Sequence, residues 1–322
     1  MKAMVYEKYG SPDVLELREI DRPPLTDDGV LVHVRAASVN PFDWHMLTGT
    51  PYLARVQAGL LKPKSQVLGV DFAGTVEAVG KDVTAFQPGE DVYGGRAGAF
   101  GEYVCVRKSV ARKPANLPFE DAAAVPMAAI TALQALRDKG HVRAGQKVVV
   151  NGASGGVGTF AVQLAKAFGA EVTGVCSTRN VETVRSLGAD HVIDYTKEDF
   201  TQSGVSFDVL VDVAGNHSWS EYKRALGESA TMIVVGGRKT NRWIGPMGDA
   251  VKRRLASVPG SRAVVAPFLA QLNKEDLDVL RELLEAGKLR PVIESRYELS
   301  EVPEALRYVG AGHAKGKVVI SI

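Results

Sequence analysis

A chain of 322 residues can bury a large core, and its length predicts about two domains. The 39 Lys and Arg nearly balance 37 Asp and Glu, so the net charge of +2 gives no electrostatic case for nucleic acid or an anionic membrane as partner. The N-terminus is charged where a signal peptide needs an apolar core, and no apolar run reaches membrane-spanning length; the expectation is a cytoplasmic protein.

Short strands are predicted over 3–6, 15–19, 30–36, 67–79 and 101–106, punctuated by Pro23-Pro24, Asp28-Gly29, Pro88-Gly89 and Gly94-Gly95. That texture belongs to a small irregular β barrel rather than to βαβ units. A short helix is expected over 43–47 with Asp43 as its N-cap. The aperiodic loop 48–66 reads either as the border of a site or as a surface insertion. Cys105 and Cys176 sit among valines and read as small buried apolar residues, not as a disulfide or metal ligands.

The texture changes near Pro118, where the alanine-rich helical stretch 119–136, broken at Pro126, marks a domain boundary. Beyond it, strands at 147–151, 171–176, 191–193, 207–212 and 230–235 alternate with helices at 156–168, 180–187, 197–203 and 217–226. This alternation implies a parallel, doubly wound sheet with helices on both faces. The stretch 240–261 should cover part of the sheet's ligand edge, although its Lys252-Arg-Arg254 run reads as a solvated face. A strand at 263–266 and an amphipathic helix ending near Gly287 follow, and the pieces from about 288 to 322 return to the first domain. The expected domains are therefore 1–118 completed by 288–322, and 119–287.

The second domain is organised around Lys147-Val-Val-Val-Asn-Gly-Ala-Ser-Gly-Gly-Val-Gly158, an apolar strand running into a glycine turn and a helix. Gly152, Gly155 and Gly158 stand three apart, where a tight turn, backbone approach to a pyrophosphate and close helix packing each exclude a Cβ. Ser154, Gly156 and Val157 complete this predicted phosphate cradle, with the helix N–H groups facing the anion. An acidic residue at the end of the second strand would select NAD through the ribose. Here that strand leads instead into Ser177-Thr-Arg-Asn180. Ser177 and Arg179, with the Tyr195 hydroxyl after the third strand, suit a 2′-phosphate, so the expected cofactor is NADPH.

Six ordered stretches resemble the medium-chain dehydrogenase/reductases of the quinone oxidoreductase (zeta-crystallin-like) branch. They are Ala36-Ala-Ser-Val-Asn-Pro-Phe-Asp43, Leu68 to Gly80, Val83 to Gly94, Asn151 to Gly158, Leu187 to Tyr195, and Gly312-His-Ala-Lys-Gly-Lys-Val-Val319. The resemblance implies a GroES-like β domain beside a Rossmann-type domain, with the reactive ring between them. It also implies that the positions of the catalytic zinc ligands read Asn40, Val70 beside Asp71, and Met127, which are poor ligands, so no metal is expected. Without a Lewis acid, oxidation of an unactivated alcohol becomes hard, whereas reduction of a quinone or an α,β-unsaturated carbonyl remains feasible. Asn40 is the leading catalytic candidate, with His45 and Tyr52 as proton donors; each also has a bland reading as a turn or packing residue. By the same resemblance Thr131, Gly236 and Gly237 flank the nicotinamide, Lys315 reaches the cofactor, and the protein is a homodimer. The rival expectations are a cofactor-binding adaptor without turnover and, less favoured, a metal-dependent secondary alcohol dehydrogenase.

Overall fold

Apolar stretches of strand period pair into sheets in the computed structural model, which describes residues 1–52, 55–236, 263–265, 268–312 and 314–322. The chain forms two units, Met1–Ile130 with Gln271–Ile322, and Thr131–Ala270. In the first, β1 (Lys2–Val5) pairs with β2 (Glu16–Glu19), followed by β3 (Val30–Val39), β4 (Asp71–Val79), β5 (Asp91–Gly95), β6 (Tyr103–Val106) and β7 (Val110–Arg112). β3 lies antiparallel to both β4 and β6, with register shifts against β4 that bend it. Its Val30, Val32 and Val34 point into a core shared with Phe72, Val104 and Val106.

The second unit contains β8 (Lys147–Asn151), β9 (Glu171–Cys176), β10 (His191–Asp194), β11 (Phe207–Asp212), β12 (Leu226–Val234) and β13 (Ala263–Val265). All pair in parallel, in the order β10-β9-β8-β11-β12-β13. That is the doubly wound Rossmann order, whose ligand crevice lies at the carboxyl ends of the strands where the winding reverses, here β8 and β11. The expected strand 263–266 is present as β13, and residue 266 lies outside the described residues. The predicted helix 197–203 is only a 3-10 turn, Phe200–Gln202, while the alternation is otherwise as expected.

β14 (Ile293–Glu298) and β15 (Lys317–Ser321) rejoin the first unit, β15 pairing with β3 to extend the GroES-like sheet as β14-β15-β3-β4-β5-β7. The helix Val302–Gly310 buries Val302, Ala305, Leu306 and Val309, one helical stripe. Its last residue has to be glycine, because a Cβ on Gly310 would lie 2.4 Å from the Trp44 ring. The domain limits differ from expectation. The amphipathic helix Lys274–Glu285, assigned by sequence to the second domain, belongs to the first unit, where the buried Tyr93 hydroxyl donates to Leu277 O at 2.5 Å. The helix Phe119–Ala123 belongs there too, held by Arg296 Nε to Glu120 Oε2 at 2.5 Å. An amphipathic stripe states that a helix covers a core, not which one. No helix among the described residues is long and apolar enough to cross a membrane.

Candidate functional site

In the second unit, β8 ends at Asn151 and the chain turns at Gly152 with φ +93°, a conformation that favours glycine. The N–H groups of Gly152 and Ala153 both donate to Val175 O, at 3.2 and 3.0 Å, fastening the turn to β9. A Cβ on Gly158 would stand 2.1 Å from Gly152 O, so the helix Gly156–Ala167 can press on the turn only with glycine there. Gly155 is the N-cap and, having no side chain, makes no cap hydrogen bond; the helix start thus offers its N–H groups to an anion. This is a cradle whose shape fits the pyrophosphate of a dinucleotide.

Beside it, buried Asn180 donates from Nδ2 to Ser154 Oγ at 3.0 Å and to Ser177 Oγ at 3.2 Å, joining the glycine turn to the end of β9. Arg179 is exposed and has no ion-pair partner among the described residues. Tyr195 is exposed just beyond β10, its N–H bonded to Cys176 O at 3.0 Å. The nearest carboxylate in sequence, Asp194, is engaged by Thr178 Oγ1 at 2.6 Å and by Thr196. The bond from Thr178, then those from Thr196 and Lys197, hold its carboxyl down at about 2. Sequence reasoning missed Asn180, whose amide looks like any helix-start residue, and missed the Asn151–Asp212–Asn216 group. There Asn151 Nδ2 donates to Asp212 Oδ1 at 2.9 Å and to Asn216 Oδ1 at 2.8 Å. Asp212 Oδ1 also accepts from Gly215 N at 2.9 Å, shaping the loop that packs on Gly152. Gly236 is equally constrained, since a Cβ would lie 2.2 Å from Val213 O. Gly237 and the segment 240–261 lie outside the described residues. Thr131 is half-buried in the helix Pro126–Gln134.

The first unit holds a buried charge cluster. Asn40, not Asp43, is the N-cap of the helix Pro41–Thr48; Asp43 sits at the third helical position and accepts from Asn40 N at 2.7 Å. Both ends of the Asn40 amide are engaged, Nδ2 donating to Asp71 Oδ2 at 2.9 Å and Oδ1 accepting from Lys317 Nζ. Asp71 also accepts from Ser38 Oγ and from Met127 N, each at 3.0 Å. The Lys317–Asp71 ion pair, 3.4 Å long, has side chains only 3% and 0% exposed. Burial pushes both carboxyls up, Asp43 to about 7, and pushes the Lys317 ammonium down against the opposing pull of Asp71. Sequence reasoning named Asp71 only as a neighbour of Val70 and passed over Lys317, although a lysine opening the apolar run Val318-Val-Ile320 was a readable signal.

These residues do not fit zinc. The Asn40 amide is committed at both ends, Val70 has no donor, and the Lys317 ammonium would repel a dication. Among the described residues no group of three or more His, Cys, Asp or Glu could hold a metal. Cys176 is buried as expected, whereas Cys105 is only partly buried, its Sγ turned toward Gly29; both thiols are free. His45 Nδ1 lies 2.6 Å from Thr50 O, which requires the proton on Nδ1. The Tyr52 ring lies 4.8 Å from the Arg55 guanidinium, which also covers Tyr9 at 4.4 Å and donates to Gly49 O at 2.8 Å, a stacked layer that anchors the start of this loop, while Val56, Leu60 and Leu61 farther along it are exposed. The Lys315 N–H is held by Glu294 Oε2 at 2.5 Å, two residues before Lys317.

Asp43 gives a pH prediction. Its folded carboxyl, near 7, lies above the unfolded value, so the folded state binds the proton more tightly and stability falls as pH rises from about 4 to about 7. Between pH 4.5 and 7.5 this one group should remove about 3 kcal/mol. Urea titrations at the two pH values should show that Asp43→Asn shrinks the difference by that order; an unchanged difference refutes the assignment.

Residues 26–115 match a family model described as an alcohol dehydrogenase GroES-like domain, and residues 187–320 one described as a zinc-binding dehydrogenase. The mouse protein named NAD(P)H oxidoreductase RTN4IP1, mitochondrial, is 36% identical, the match covering 100% of this chain and 89% of that protein. A tomato 2-methylene-furan-3-one reductase is 37% identical over 99% of this chain and 79% of its own. Among solved structures, the quinone oxidoreductase from Coxiella burnetii superposes with a TM-score of 0.87 at 31% identity, covering 100% of this chain and 99% of that one.

Proposed function

Because the chain belongs to the quinone oxidoreductase branch of the medium-chain dehydrogenase/reductase superfamily, we propose that it reduces a quinone or an α,β-unsaturated carbonyl with NADPH and without zinc. The observation that carries the reading is the cradle of Gly152, Gly155 and Gly158 flanked by Ser154, Ser177 and Asn180, with Arg179 exposed beside it and no carboxylate at the end of β9. Bound NADPH would supply the hydride. The helix N–H groups would hold its pyrophosphate, and Ser177, Arg179 and Tyr195 its 2′-phosphate. Thr131, Gly236, Gly237 and Lys315 remain the residues proposed for its nicotinamide end. Asn40, with His45 and Tyr52, would hold the acceptor's oxygen as negative charge develops there, one hydroxyl, imidazole or water giving the proton. The tomato relative's name carries an enone and the Coxiella neighbour's a quinone, both electrophilic acceptors of this kind. A homodimer belongs to the same reading, since β13 is the edge of the parallel sheet among the described residues.

Purified protein should oxidise NADPH in the presence of 1,2-naphthoquinone or a reactive enone, with NADPH clearly preferred over NADH. Absence of turnover across a broad acceptor panel would sink the reading. Arg179→Ala should weaken NADPH binding by roughly 10–100-fold, as loss of a charged hydrogen bond to phosphate does, and leave NADH nearly unaffected. Equal losses for both dinucleotides in calorimetric titration would remove Arg179 from the 2′-phosphate site.

A further inference from the structure

The loop that follows the Arg55 layer in the first unit carries an inference that goes beyond the reductase reading and does not depend on it. We propose that the bend at 59–62 is a membrane-docking tip: Leu60 and Leu61 enter the interface of an anionic lipid bilayer while Lys62 and Lys64 meet its headgroups.

The bend is pinned at its base. Gly59 N–H donates to Arg55 O and Lys64 N–H to Ala58 O, each at 2.8 Å, and Tyr9 Oη donates to Gly59 O at 2.5 Å. Gly59 takes φ +123°, and a Cβ there would stand 2.0 Å from Lys62 O, so only glycine closes the loop this tightly. Pro63 is buried between the two exposed lysines. With its base fixed, the loop holds two consecutive leucines outward. Among the described residues the three most exposed large apolar side chains are Leu61 at 90%, Leu60 at 70% and Val56 at 66%, all in this one segment. A single exposed leucine is ordinary, whereas an apolar group rimmed by polar side chains marks an interaction site.

The charges of the rim identify the partner. From residue 44 to residue 70 the chain has Arg55, Lys62 and Lys64 but no Asp or Glu, although 37 of these occur in the whole sequence. Neither the Lys62 nor the Lys64 ammonium has an ion-pair partner among the described residues, so both are open to an external anion. The nearly balanced net charge does not oppose this, because salt screens exposed charges beyond about 8–10 Å and the local excess decides. A protein partner fits less well. Stable protein interfaces bury roughly 800 Å² on each side and are depleted in lysine, whereas this tip offers a few aliphatic chains at one small prominence. A bilayer requires no matching relief: leucine side chains pass below the headgroups, and lysine stems lie along apolar surface with their ammonium ends among the anions. For a reductase of apolar quinones, this contact would place the enzyme where such acceptors dissolve.

Sedimentation of the full chain with lipid vesicles is the test. Wild type should pellet with phosphatidylcholine vesicles containing about one-third phosphatidylserine, only weakly with phosphatidylcholine alone, and less as salt rises. Leu60→Ser/Leu61→Ser should lower the partition coefficient at least about 10-fold, and Lys62→Gln/Lys64→Gln should lower it about 10-fold on the anionic vesicles only. Both double variants should keep the wild-type urea midpoint, because the altered side chains are exposed. Wild-type protein that stays in the supernatant with anionic vesicles overturns the proposal. So does vesicle binding that Leu60→Ser/Leu61→Ser leaves unchanged, which would be attraction by surface charge alone. Self-association in analytical ultracentrifugation that the leucine substitutions abolish, without vesicle binding, would make the occupant a second copy of the chain and likewise overturn it. None of these outcomes bears on NADPH oxidation with soluble acceptors, which tests the reductase reading separately.

Discussion

Asp71→Ala should lower the unfolding free energy by about 3–5 kcal/mol, the loss typical when one partner of a buried ion pair is removed. Asp71 is completely buried and collects four donors: Ser38 Oγ, Asn40 Nδ2, Lys317 Nζ and Met127 N. Alanine would leave the buried Lys317 ammonium without its ion-pair partner and strip a backbone N–H and a hydroxyl of their acceptor. Asp71→Asn retains an acceptor for Met127 N–H and should lose clearly less. Urea unfolding followed by circular dichroism measures both; an Asp71→Ala protein within about 1 kcal/mol of wild type would mean that the cluster relaxes or hydrates, contrary to the burial described.

Gly158→Ala and Gly155→Ala should fail in different ways. At position 158 the added Cβ would be 2.1 Å from Gly152 O and 2.9 Å from the Ala153 backbone, so the turn itself must move. Overpacking of this kind costs about 1–3 kcal/mol, and displacement of the turn should weaken NADPH binding by at least about 10-fold. At position 155 the nearest atom would be 3.6 Å away and φ is −81°, so alanine is sterically acceptable to the fold. Its methyl group would instead intrude where the pyrophosphate needs bare backbone, and binding alone should fall. Titration with NADPH together with urea midpoints separates the two; equal loss of stability at both positions would remove this division of roles.

The two experiments address the two units separately. Gly155 and Gly158 test the phosphate cradle, and Asp71 tests the polar core beneath Asn40. The proposed substitution at Arg179 adds the choice of dinucleotide, and that at Asp43 adds the pH response of the cluster.

Local patterns in the sequence were sufficient for the parallel sheet, its glycine turn and most strands. Val148 to Val150 and the glycines at 152, 155 and 158 are determined by neighbours within a few residues, so their chemistry is local and legible. The small strands β5 and β7 were missed, since Asp91–Gly95 and Val110–Arg112 are short and their glycines and charges resemble turns. The placement of the helix Lys274–Glu285 was likewise decided only in three dimensions, where Tyr93 caps Leu277 O from a strand 184 residues away.

The candidate site divides along the same line. The sequence places Ser154 in the glycine turn and Ser177 and Arg179 at the end of the neighbouring strand, and any sheet of this winding turns those two places toward one crevice; the structure joins Ser154 and Ser177 there through Asn180, while the role of Arg179 is the proposal made above. Asn180 and the Asn151–Asp212–Asn216 group were not legible, because an amide shows its partners only when the chain has folded. Lys317 and Asp71 are 246 residues apart, and each alone is an ordinary charged residue. The sequence by itself determined that a strand runs through a glycine turn into a helix, the pattern of a phosphate cradle, and that good zinc donors are missing from the expected positions. Only the tertiary structure decided what stands there instead, because a buried charge takes its meaning from the groups that long-range pairing of β3, β4 and β15 brings within hydrogen-bond reach.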